Sequence, residues 1–175
     1  MRKVGFHLLL RTEPGVSVSR VLQSLTVAHT WRYHRRRGTV GHVWQGRFRS
    51  PVVPEDAPLG TVLRSIEANP LRAGLVTDPA EYPWSSYPAH ALGRPDPLLT
   101  PLPEWSDLGR DESARRRHWR DKVLAALPDP DLGAIRDSIR SGRPFGDPGW
   151  TEVVSRTLRP DTPQRPRGRP KKTEK

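Results

Sequence analysis

The chain has 175 residues with 30 lysines and arginines against 19 aspartates and glutamates, a formal charge of +11, so an anionic partner is expected and nucleic acid comes first. It contains no cysteine, which excludes disulfides, thiolate-bound zinc and a thiol nucleophile. Hydrophobic residues make up 34%, beside 14 glycines and 20 prolines, so a packed core is expected over only part of the length.

Chain order then supplies the elements. Gly5 to Arg11 alternates Phe6, Leu8 and Leu10 against His7, Leu9 and Arg11, the period of a strand. Glu13-Pro14-Gly15 interrupts it. Ser17 next caps a helix in which Val18, Val21, Leu22, Leu25 and Ala28 recur at three- and four-residue steps, ending at Arg37 before Gly38. Residues Phe48 to Val53 predict a second strand, which Pro51 confines to an edge or irregular position. Asp56 and Pro58 open another helix, with Leu59, Val62, Leu63 and Ile66 on one face, and Asn69-Pro70 closes it. Prolines interrupt the chain beyond Gly74, and Tyr82 to Pro103 is expected to be an extended connector, lying on the core through Tyr82, Trp84 and Tyr87. Further helices are expected over Glu112 to Leu127, Leu132 to Arg140 and Trp150 to Leu158. From Pro160 onward the composition cannot build a core and predicts disorder.

Two basic segments stand out. Between Glu13 and Glu55 there is no acidic residue, while Arg20, Arg32, Arg35, Arg36, Arg37, Arg47 and Arg49 all fall there. A solvated helix end would account for part of this, because Arg35 to Arg37 sit at the negative pole of the helix dipole. The same stretch interleaves Trp31, Tyr33, His34, His42, Trp44 and Phe48. Flat rings stack on unpaired bases while guanidiniums hold phosphates, a combination suited to single-stranded nucleic acid. In the tail, Pro166-Arg167-Gly168-Arg169-Pro170 with Lys171-Lys172 is similar to an AT-hook, whose two arginines lie in the minor groove of A·T-rich duplex DNA and whose glycine leaves room for the groove walls. A solubilising charged tail is the plainer alternative.

Four blocks carry a more specific likeness: Gly5-Phe6-His7-Leu8-Leu9-Leu10-Arg11-Thr12, Gly41-His42-Val43-Trp44-Gln45-Gly46-Arg47-Phe48, Asn69-Pro70-Leu71-Arg72-Ala73-Gly74-Leu75-Val76 and Tyr82-Pro83-Trp84-Ser85-Ser86-Tyr87. In order and spacing they resemble the REP-associated tyrosine transposases, single-strand DNA transposases of the HUH superfamily. The likeness covers residues 5–93, and Gly142-Arg143-Pro144-Phe145-Gly146 with the hook is similar to an extension in one branch of that family.

The resemblance implies an α+β, partial ferredoxin-like domain over residues 1–93, followed by a Pro-rich connector (94–110), a small helical region (111–159) and the basic tail (160–175). It further implies a magnesium or manganese ion held by a His-apolar-His strand, and a helix-borne tyrosine that attacks a DNA phosphate. At the matching positions this chain has Gly5 in place of the first histidine, with His7 left as the second, and Ser65 in place of the tyrosine, while Asn69 is retained. The sequence therefore leaves open whether the protein is an enzyme. Tyr33 is the nearest other phenol, readable as well as a stacking or packing residue. The implied DNA contacts are Arg32, Tyr33, Arg35, Arg36, Arg37, Trp44, Gln45, Arg47 and Arg49, with Arg167, Gly168, Arg169, Lys171 and Lys172 in the tail.

The family places a strand, a helix and a strand before the histidine strand, whereas four residues precede Gly5. A truncated remnant or a start further upstream would each explain that, and a remnant is expected to be weakly stable or self-associating. The expected partners are hairpin or single-stranded DNA and A·T-rich duplex, without a membrane, in a cytoplasmic, nucleoid-associated protein. An architectural or regulatory DNA binder without catalysis is the alternative reading.

Overall fold

The computed structural model describes residues 5–158, leaving aside the side chain of Ala57. Seven α-helices and two 3₁₀ turns make up its regular structure, and among the described residues there is no strand. This overturns the α+β, ferredoxin-like expectation. Residues 5–11 and 48–53 carry no regular secondary structure, so neither forms the strand expected of it. Phe6, Leu8 and Leu10 are about half exposed, and it is Leu9, on the opposite side, that rests on the core. The second segment is held by a backbone bond from Phe145 N–H to the Val52 carbonyl at 2.8 Å and by Arg49, which donates to the Arg140 carbonyl. Pro51 has no N–H to offer a ladder.

Helix α1 (Val18–Arg37) starts and stops where the sequence predicts. The Ser17 hydroxyl accepts from Arg20 N–H at 3.4 Å, and Gly38 closes the helix in the left-handed region at φ 62°, its N–H bonded to the His34 carbonyl. Of its 20 residues only Leu22 is buried. Val21, Leu25 and Val27 stay exposed, so the apolar spacing marks a helix without marking a core face.

The core is assembled from α2 (Ala57–Glu67), α4 (Tyr87–Leu92) and α5 (Glu112–Leu124), through Leu63, Ala68, Tyr87, Ala91, Trp119 and Val123. A short α3 (Asn69–Arg72) follows α2 after Ala68, which keeps a helical conformation. Where an extended connector was expected over Tyr82 to Pro103, the chain instead forms α4. Pro88 lies in its first turn, where the missing N–H costs nothing, and Gly93 at φ 71° ends it. Trp105, in the 3₁₀ turn Trp105–Leu108, packs on His90 and Trp119, so the core draws on residues within 94–110 as well as on either side of it. α5 stops at Leu124 because Ala125 turns extended at ψ 142°. α6 (Asp129–Ser141) and α7 (Pro148–Leu158) complete the fold.

At the centre of this core lies Glu67, fully buried. Its Oε1 is 2.5 Å from the Ser86 hydroxyl and 2.6 Å from His90 Nδ1, and its Oε2 accepts the Trp119 indole N–H at 2.7 Å. Three donors on α4, its N-terminal flank and α5 thereby converge on one carboxyl at the end of α2, which satisfies an otherwise costly buried group and fixes how the three helices meet. Among the described residues no helix is long and apolar enough to cross a membrane.

Candidate nucleic-acid interface

The carboxyl half of α1 is built from two interleaved pairs at four-residue spacing, which places each pair on one helix face. The Arg35 guanidinium lies 5.1 Å from the Trp31 ring centroid, and that of Arg37 lies 5.8 Å from Tyr33. His29 stacks on Tyr33 at 6.3 Å, one turn earlier. Trp31 is 60% exposed and Tyr33 40%, so these rings are offered to solvent rather than spent on packing.

The loop after Gly38 folds back onto this helix. His34 Nε2 is 2.9 Å from the Gly41 carbonyl, which can only accept, so this nitrogen carries the proton; Nδ1 is 3.0 Å from the Thr39 hydroxyl. The Trp44 indole N–H reaches the Thr26 carbonyl at 3.2 Å and the Thr30 hydroxyl at 3.1 Å. Its ring meets His29 at 5.0 Å and the edge of Phe6 at 5.5 Å. Trp44 is therefore a half-buried wall that anchors the loop. Between it and α1 runs an open cleft of about 570 Å³, bordered by Val27, Thr30, Trp31, His34 and Arg35.

Charge is least balanced in this region, where no acidic residue falls between Glu13 and Glu55. Among the described residues, every ion pair involves other groups: Arg11 with Glu55, His90 with Glu67, Arg110 with Asp111, Arg115 and Arg116 with Glu112, Arg140 with Asp137, and Arg156 with Glu152. Among the described residues, no carboxylate lies within ion-pair distance of Arg20, Arg32, Arg35, Arg36, Arg37 or Arg47. The helix dipole supplies only about half a negative charge at the end of α1. Arg35 to Arg37 alone exceed that several-fold, so a helix-capping role leaves most of the positive charge unanswered. In the other basic run, Arg115 to Arg120, Arg115 and Arg116 pair with Glu112, Arg117 donates to the Ser113 hydroxyl, and Trp119 enters the core.

The expected site residues divide accordingly. Arg32, Tyr33, Arg35, Arg36 and Arg37 are all exposed on the carboxyl half of α1, and of the expected residues Arg35 and Trp44 meet at the cleft, while Gln45 and Arg47 are exposed further along the loop. Arg49 is turned away toward the end of α6. Arg167, Gly168, Arg169, Lys171 and Lys172 lie outside the described residues.

The positions tied to strand cleavage fit that chemistry poorly. Ser65 is buried, and its hydroxyl lies 3.3 Å from Arg72 Nη2, a donor with no capacity to take a proton; the same nitrogen donates to the Ser65 carbonyl at 2.8 Å. Burial and nearby Arg136 hold the Arg72 guanidinium below its usual range. Asn69 begins α3 and is half-buried. His7 is exposed, and among the described residues no cluster of three histidine or acidic side chains could hold a magnesium or manganese ion. The donor set does not fit the implied metal, which takes several oxygen ligands. Gly5 has open space where a side chain would stand, so sterics do not account for the missing histidine.

Sequence reasoning missed Val27 and Thr30 as cleft residues and Glu67 as the core hub. The i, i+4 spacing of Trp31 with Arg35 was readable; the return of Trp44 onto Thr26 and Thr30 had no local signal. Comparison with protein-family models, with curated proteins and with solved structures finds no match to this chain.

Proposed function

We propose that this protein binds DNA, holding a single strand or hairpin along the carboxyl half of α1 and the loop to Arg47, and that it descends from the tyrosine transposases whose motifs it shares. The observation that carries the reading is the set of guanidiniums without carboxylate partners, interleaved with exposed rings. Such a surface meets phosphates with charge and bases with flat faces. The four motif blocks favour DNA as the strand. The buried Ser65 and the lone His7 favour binding without strand transfer, the architectural or regulatory form of the proposal. The Arg167-Gly168-Arg169 element adds A·T-rich duplex as a second target, and such a protein would work at the nucleoid.

The test is a titration of the full chain with a hairpin-tipped single strand lacking A·T duplex, followed by fluorescence anisotropy at several salt concentrations. Replacing Arg32, Arg35, Arg36 and Arg37 together by alanine is expected to flatten the plot of log affinity against log salt by as much as about 3, at roughly 0.7 per phosphate contact. An unchanged slope would remove the α1 arginines from the interface.

A further inference from the structure

We infer that the cleft between α1 and Trp44 takes one unstacked nucleobase of a single strand and holds it by stacking, without reading its hydrogen-bonding edge. This rests on the DNA-binding reading and assigns a place and a selectivity to it. The cleft, about 570 Å³, is open and largely apolar, with Val27 and the Trp44 ring along its walls. At its mouth stands the Trp31–Arg35 pair, which offers a base either an aromatic face or a guanidinium plane, both good stacking partners. Charge selects the occupant. Arg35 lines this apolar slot without a carboxylate partner among the described residues, and Arg32, Arg36 and Arg37 add positive charge elsewhere on the same helix end, a setting that favours a flat apolar group joined to phosphates over a neutral hydrophobe.

The polar atoms inside the cleft are already committed. The Thr30 hydroxyl donates to the Thr26 carbonyl at 2.8 Å and accepts from Trp44. The Thr26 hydroxyl donates to the Leu22 carbonyl at 2.7 Å, and the Thr26 carbonyl receives the Trp44 indole. Both His34 nitrogens hold the loop. Base-edge discrimination needs donors and acceptors placed against the edge, and only Arg35 keeps free donors here, which the neighbouring phosphates would claim. Adenine, cytosine and thymine are therefore accepted alike.

Two probes of about 12 nucleotides, within the roughly 4–16 that single-strand binding folds cover, separate the possibilities: oligothymidylate and an abasic strand of the same length. The full chain is expected to prefer oligothymidylate by tenfold or more. Trp31→Ala should lower affinity for it roughly 5- to 100-fold, the range for loss of one base stack, and leave the abasic strand unaffected; Trp31→Phe should recover most of the loss. Arg36→Ala, outside the cleft, should weaken both probes equally. Oligoadenylate and oligocytidylate should bind within a few-fold of oligothymidylate. If the abasic strand binds as tightly, or Trp31→Ala changes nothing, the stacking cleft is refuted while the DNA-binding reading stands. If one base is preferred more than tenfold, the absence of edge reading is refuted. If neither probe binds, both proposals fall.

Discussion

The two regions built around tryptophans use them in opposite ways. In the α2–α4–α5 core, Trp119 is buried and spends its indole N–H on Glu67, and Trp105 closes over it. In the α1 arm, Trp31 stays largely exposed with an arginine over its ring, and Trp44 uses its N–H only to pin a loop to a helix that buries a single residue. Charge follows the same division. Around the core, Arg115 and Arg116 pair with Glu112 while Arg64 and Arg72 donate to backbone carbonyls; the α1 arginines have no carboxylate partner among the described residues. The core meets its polarity internally except at Arg64 Nε, while the arm leaves its polarity for something outside, so stability and binding should respond to different substitutions.

The comparison breaks most sharply at Glu67. Glu67→Ala strands three donors in the core and is expected to cost about 4 kcal/mol or more in urea unfolding, at roughly 1–3 kcal/mol per orphaned group. Glu67→Gln, which keeps an acceptor oxygen, should cost about half as much. A small effect would mean the hub does not organise the core. Next in size, the fourfold arginine-to-alanine variant of α1 should lose most single-strand affinity at moderate salt while each substitution shifts stability by no more than about 0.5 kcal/mol. Thermal melting beside the binding titration checks both halves.

Trp44→Ala sharpens the picture inside the arm. It removes two hydrogen bonds and the contacts to His29 and Phe6, and should accelerate amide exchange over residues 38–44 without altering exchange in α4 or α5. The smallest effect is on acidification. The Ala114 N–H holds Asp111 below the ordinary carboxylate range, and the Trp105 indole does the same for Glu112, helped by Arg116. With depressed folded-state values, their contribution is fully present above the ordinary range and fades as pH falls through and below it. A slight loss of helicity at the start of α5 near pH 3–4, followed by circular dichroism, is the expected sign.

How far the sequence disclosed this division depends on whether the signal was local. Ser17 and Gly38 bounded α1 correctly because caps act through neighbouring backbone. The alternation in Gly5 to Arg11 has the period of a strand, but a sheet needs a partner, and pairing is not written in one segment's period. α4 was hidden because Pro88 looks like a breaker until its first-turn position is known. Glu67 was invisible as a hub: one acid among Ile66 and Ala68 resembles a solvated helix position, and its partners stand 19, 23 and 52 residues away. Its spacing of four from the buried Leu63 was the available clue. Trp31, Tyr33 and the arginines were legible because helical spacing alone sets their pairing, whereas the cleft required the loop to return.

The most direct measurement of the account is amide hydrogen exchange on the full chain with and without saturating single-stranded DNA. Slowed exchange over the last turns of α1 and residues 38–47, with α4 and α5 unchanged, is the predicted result. Protection confined to α4 and α5, with α1 and its loop exchanging as in the free protein, would contradict it.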